Sequence, residues 1–164
     1  MRIVMLLQGD VRYDGRPLHE ARSLTDAGHD VHMLHLLRER PGMGYRAFWL
    51  QEATRYALHL KPDVVHCHDL DTLPGGVAIK KLTGAKLVYD CHEFYSDMVK
   101  DGHGSAVSAI AWKADRILAR YADLVLTPNT GVLDYLGEFV HAHLIQNYQP
   151  VFRRTWQPPT KGKF

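Results

Sequence analysis

Cysteine is scarce here: Cys67 and Cys91 are the only two in 164 residues. A small secreted scaffold stapled by several disulfides is therefore excluded, and two thiols suit a reducing compartment. Long apolar runs are missing as well. The N-terminal stretch offers only Ile3–Leu7, far short of the roughly 20 residues of a membrane span and shorter than the apolar centre of a signal peptide. These absences predict a cytoplasmic chain. A surplus of one charge is also lacking. Twenty Lys and Arg against eighteen Asp and Glu leave a formal charge of +2, too little to attract nucleic acid, so no nucleic-acid partner is expected. Internal repeats and low-complexity tracts do not occur, and neither does a Walker A loop, a Gly-x-Ser-x-Gly elbow, a CxxC pair or an HExxH helix.

What is present is the composition of an ordinary globular domain, 46% hydrophobic and 23% charged. A chain of this length forms about one domain and buries enough surface to fold without a metal or disulfide staple. Short β-branched runs alternate with helical patterns. Strands are predicted at Ile3–Leu7, Val31–Leu37, Val64–Cys67, Leu87–Tyr89, Leu124–Leu126 and Leu144–Ile145. Between them, Pro17 opens a helix with Leu18, Ala21, Leu24 and Ala27 on its apolar face, closed by Gly28. Arg38–Arg46 reads as a loop, followed by a helix carrying Trp49, Ala53, Tyr56 and Leu60. Thr72–Leu82 is the third helix. The fourth starts at Ser105 as N-cap, with Val107, Ile110, Ala114, Ile117 and Tyr121 as its apolar stripe, and the fifth begins at Thr127-Pro128. Six strands and five helices in alternation predict an α/β fold, a single Rossmann-like doubly wound parallel sheet with helices on both faces. Its bounds are 1–148; the Pro-broken segment 149–164 reads as a linker.

In such a sheet, ligands bind beyond the carboxyl ends of the strands. Three polar clusters fall there: Gly9-Asp10 with Asp14-Gly15-Arg16 after the first strand, His66-Cys67-His68-Asp69-Leu70-Asp71 after the third, and Asp90-Cys91-His92-Glu93 after the fourth. Polar residues gather in any loop, but three clusters on one edge point to a ligand cleft. A metal centre built from His66, Cys67, His68, Cys91 and His92 is disfavoured. Strand alternation sends Cys67 to the face opposite His66 and His68, and both cysteines read as small apolar core residues. Gly42, Gly44 and Ala47 form a weak Gly-x-Gly-x-x-Ala match in the wrong place for a dinucleotide loop, so NAD chemistry is not expected.

These segments resemble glycosyltransferase family 4. DGRPLHEARSLTDAGHDV matches its opening pattern at Asp14, Arg16, Glu20, Ala21, Ala27, Gly28 and His29 and departs from it at Pro17 and His19. VVHCHDLDTLPGGVAIKKLTGAKLVYDCHE, ADLVLTPN and HLIQNYQP follow in the family's order, with Gln146 where Pro is usual. The resemblance covers about residues 1–150. It implies the N-terminal, acceptor-side half of a GT-B architecture, in which two Rossmann-like domains face each other across a cleft. The full protein would then be a retaining, hexosyltransferase-like glycosyltransferase. It would use a nucleotide-sugar co-substrate and a sugar or lipid-linked sugar acceptor, with no cofactor and no metal. The family's paired donor-site glutamates and diphosphate-binding Arg and Lys have no match here. The chain is therefore expected to be inactive alone and to need a C-terminal donor-binding domain or a separate partner chain. The alternative is a non-catalytic subunit that anchors such a partner.

By that resemblance His92 faces the reacting sugar and is the candidate catalytic residue; otherwise its ring caps a neighbouring loop. Gly9, Asp10, Asp14, Arg16, His68, Asp69, Asp71 and Glu93 are the candidate substrate-binding residues, since carboxylates and imidazoles suit a polyhydroxylated acceptor. Two carry an alternative: Asp71 can cap the next helix with Thr72, and Arg16 can pair with Glu20 one turn on. Lys113, Arg116 and Arg120, edged by Trp112, form either a solvated helix face or a peripheral contact with anionic lipid.

Overall fold

The computed structural model describes residues 1–37 and 42–146, apart from the Tyr13 side chain. The expected linker at 149–164 and the first part of the expected Arg38–Arg46 loop lie outside the described residues. Six strands are present: β1 (Arg2–Leu7), β2 (Asp30–His35), β3 (Val64–His68), β4 (Lys86–Asp90), β5 (Leu124–Thr127) and β6 (Ala142–Leu144). All pair in parallel, in the order β2-β1-β3-β4-β5-β6. The helices are α1 (Gly15–Asp26), α2 (Met43–Leu60), α3 (Leu73–Thr83), α4 (Tyr95–Leu118) and α5 (Thr130–Gly137). This is the predicted Rossmann-like α/β sheet.

The strand order reverses between β1 and β3, and right-handed crossovers then fix which helix covers which face. The step from β1 to β2 runs one way across the sheet and every later step runs the other. Among the described helices α1 alone therefore lies over one face, with α2 to α5 over the other. The main core sits on the four-helix face. There Val4, Leu6, Val65, Cys67, Leu87, Tyr89 and Val125 meet Ala53, Leu73, Val77, Ile79, Ala111 and Leu136. On the α1 face the alternate strand residues include Ile3, His66, His68, Val88, Asp90 and Leu126.

Two neighbouring glycines allow α3 to sit tightly. A Cβ on Gly76 would land on the Cys67 sulfur and 2.8 Å from Leu87 Cδ1, while one on Gly75 would meet Thr54 Oγ1 at 2.6 Å. Gly76→Ala should therefore destabilise the fold by about 1–3 kcal/mol through overpacking, read as a drop of several degrees in Tm. Gly44→Ala is the control: nothing stands within 4 Å of its added methyl, and its Tm should hold or rise. An unchanged Tm in Gly76→Ala would show that α3 moves aside freely.

Three helical faces differ from the periodic reading. On α1, Leu18 is exposed and Ala27 lies past the helix end, while Arg16 and Pro17 are buried. The inner face of this helix is charged because it covers a polar part of the sheet. On α2, which starts inside the expected loop, Ala53 and Ala57 face the core and Tyr56 is exposed. On α4, Ile110 and Ile117 point to solvent and Ala111 and Asp115 point inward, as does Ala119 just past the helix end. Small residues bring α4 close to the sheet, where Asp115 Oδ1 accepts a 2.9 Å hydrogen bond from the Tyr89 hydroxyl. Helix α4 begins at Tyr95 rather than Ser105, but it breaks at Gly104, whose φ of 81° lies in the left-handed region. Ser105 thus opens its second segment. The basic stripe on α4 is incomplete. Arg116 turns to Glu138 at 2.9 Å and lies over the Trp112 and Phe139 rings. No helix among the described residues is long and apolar enough to cross a membrane.

Candidate functional site

Parallel register brings the polar residues of three loops together. Leu7 aligns with His68 and His68 with Asp90, so one row of partners ends at the carboxyl edge. At this edge Asp69 adopts φ 63°, an uncommon conformation for a residue with a side chain. That turn aims its carboxylate across the row. Asp69 Oδ1 accepts a 3.0 Å hydrogen bond from the His92 backbone N–H, and Oδ2 stands 3.8 Å from His92 Nδ1.

His92 is held from behind as well. Its Nε2 lies 3.0 Å from Asp90 Oδ2 and 3.3 Å from His68 Nδ1, whose ring it meets edge-on. Burial alone would discharge this imidazole, but the Asp90 hydrogen bond and the charges of Asp69 and Asp90 outweigh it and raise His92 to about 9. The ring is only 15% exposed. It lines a shallow cleft of about 480 Å³ with Glu93, Phe94, Asp97 and Asn129.

Asp90 anchors the whole arrangement. It is fully buried, and Arg16 grips both its oxygens, Nε to Oδ2 and Nη2 to Oδ1, each at 2.8 Å. Arg16 Nη1 also donates to the Ile145 carbonyl at 3.0 Å, and its Nε stands 3.1 Å from Glu20 Oε1. Burial opposes an ionised Asp90, yet His92 and Arg16 hold its carboxyl well below the usual range. Glu20 behaves oppositely: burial and the neighbouring Asp90 charge push it to about 8. His66, behind Glu20, is lowered to about 4 by burial.

The candidate residues thus separate into groups. His92 and Glu93 line the cleft, with Glu93 exposed, and Asp69 stands beside His92. His68 is fully buried beneath them. Asp71 lines a separate groove with Arg46 and Tyr95: its Oδ2 is 3.3 Å from Arg46 Nη1, and Arg46 also reaches Gln8. Burial and the charge of Asp69 push Asp71 to about 7. Asp71 does not cap α3. Thr72 occupies the cap position, and its hydroxyl donates to the His68 carbonyl at 2.8 Å. The remaining candidates shape the backbone. Asp14 caps α1 through the Arg16 N–H, Asp10 binds the Arg12 backbone and guanidinium, and the Gly9 carbonyl accepts from Leu36. Arg16 points into the interior, away from any acceptor. Asp90, Gln8 and Arg46 were not among the candidates. Asp90 alone carried a signal, a carboxylate closing an apolar strand.

Among known proteins, a family model described as a glycosyl transferase 4-like domain matches residues 4–145. The crystal structure of MurG from Acinetobacter baumannii is similar at 16% identity and a TM-score of 0.38, over 79% of this chain and 42% of that one. The chain thus spans less than half the length of that relative. No curated protein matches the chain.

Proposed function

The chain belongs to the glycosyl transferase 4-like family, and from that premise we propose that it is the acceptor-side half of a retaining, nucleotide-sugar-dependent glycosyltransferase of GT-B type. One observation carries the assignment to the acceptor side. At the carboxyl edge Arg12 and Arg46 face the carboxylates of Asp10 and Asp71, and Arg16 is buried against Asp90. A diphosphate is held by cationic groups that can turn to it, and these three already have anionic partners. Hydroxyl-rich ligands suit the cleft better. Glu93 and Asp97 offer acceptor oxygens, and the Nδ1 edge of His92 offers a donor to a sugar hydroxyl.

In this reading the acceptor hydroxyl oxygen bonds to the anomeric carbon as the bond to the nucleoside diphosphate breaks, and the hydroxyl proton passes to the departing diphosphate oxygen on the same face. His92, held cationic by Asp90 and Asp69, offsets charge developing on the leaving group. The donor-side half supplies the cations and helix dipoles that hold the diphosphate, so the transfer needs no resident cofactor. Closure of the two halves excludes water.

The test is nucleotide release from a panel of nucleotide-sugars. Residues 1–164 alone should release none and should not bind nucleoside diphosphates in calorimetry. Joined to a donor-binding half, as one chain or as two, the protein should release nucleotide only when acceptor is present. Transfer by residues 1–164 alone would overturn the assignment.

A further inference from the structure

The α1 face of the sheet holds a second cluster that the transfer reaction does not use. His66 and His68 stand two residues apart on β3, so both rings rise from the same face, stacked at 4.4 Å between centroids. Glu20, on α1 directly above, places Oε2 3.9 Å from His66 Nε2 and 3.9 Å from His68 Nε2. All three atoms are buried, and none has a hydrogen-bond partner. Buried polar atoms are ordinarily satisfied. Three orphans within 4.8 Å of one another leave a place for something to sit.

We propose that Glu20, His66 and His68 form a binding site for one zinc-type divalent transition-metal ion. Two imidazoles and a carboxylate are ligands that zinc and its neighbours favour over magnesium or calcium. Ligands about 2.0–2.1 Å from zinc stand roughly 3.4 Å apart in a tetrahedron, so the two 3.9 Å gaps to Glu20 close onto an ion through shifts of about half an ångström, with the stacked rings turning so that both Nε2 atoms face it. The surroundings provide support for the ligands. Glu20 Oε1 faces Arg16 Nε at 3.1 Å. An ion at His68 Nε2 requires the proton on Nδ1, which lies 3.3 Å from His92 Nε2 and 3.7 Å from the buried Asp90 Oδ2, the latter too long for a hydrogen bond. Asp90 also lies within the ligand cluster, every chosen atom within 4.8 Å of the others. Its oxygens already serve Arg16 and His92, which makes it a supporting group rather than a ligand. An entry path exists: Glu20 and His66 line a groove of about 380 Å³ between α1 and the sheet.

The ion would act structurally. It would tie α1 to β3, while His92 faces the cleft on the other side of His68. The site shares His68 and Asp90 with the surroundings of His92, but its test needs no activity.

The full 164-residue chain, produced without a histidine tag and stripped with a chelator, is titrated with Co²⁺ and then Zn²⁺. The expected result is one equivalent of Co²⁺ with the intense visible absorption of a low-coordinate site, displaced by Zn²⁺. Paramagnetically shifted ring protons of His66 and His68 in the unaltered chain would locate the ion without any substitution. His66→Gln and His68→Gln should each weaken binding at least tenfold. Substituting the exposed, neighbouring His141 and His143 should leave it unchanged. No stoichiometric Co²⁺ absorption, or binding that survives in the His66→Gln/His68→Gln chain, would overturn the proposal and leave an ordered water as the occupant.

Discussion

Arg16→Met should lower the unfolding free energy by about 3–5 kcal/mol, the effect of removing one partner from a buried ion pair. The guanidinium is 5% exposed and Asp90 not at all. The substitution therefore leaves a carboxylate in the interior with no counter-charge in α1, and it also orphans the Ile145 carbonyl. A domain of this size has only about 5–15 kcal/mol in reserve, so the denaturation midpoint should fall steeply. Two further variants separate charge from packing. Arg16→Lys keeps the charge but lacks the planar fork that meets both Asp90 oxygens, and should fall between wild type and Arg16→Met. Arg16→Met/Asp90→Leu removes both charges and should recover part of the loss. A loss below 1 kcal/mol in Arg16→Met would show that water reaches Asp90 and that the pair is not the anchor of the site.

His92→Gln should act on rate and, at neutral pH, also on folding, because the imidazolium raised to about 9 by Asp90 and Asp69 stabilises the fold below that pH. The loss in melting temperature should therefore shrink as pH rises toward 9, where wild type loses the same charge. In the complete two-half enzyme the same variant should lower kcat by roughly 10²- to 10³-fold, the scale for removing a group aimed at developing charge. KM for the acceptor should stay within a few-fold, because the cleft carboxylates remain. A kcat within threefold of wild type would take His92 out of the reaction and leave it as a loop-bracing residue.

The strands could be read because burial on both faces demands near-continuous apolar runs, and those runs stand out in a single sequence. The carboxyl-edge cluster could be read for a related reason: topology sends each loop after a strand to one rim. Helical faces were harder. On α4 the bulky residues Ile110 and Ile117 suggested the buried side, but close approach to the sheet selects the small ones, Ala111 and, just past the helix end, Ala119, together with Asp115. On α1 the apolar period pointed away from Arg16 and Glu20, the residues that its position turns inward.

Sequence by itself determined the alternating α/β order, the parallel sheet, the placement of His92 and Asp69 at its carboxyl edge, and the opposite facing of Cys67 and its histidine neighbours. Each follows from local periodicity or from a chirality rule that holds for any such chain. Only the tertiary structure decided that Arg16 closes on Asp90 across 74 residues, and that Glu20 comes to rest above His66 and His68. Charge pairing has no period. It depends on strand register and on which single helix covers a face, and both are set when the sheet assembles.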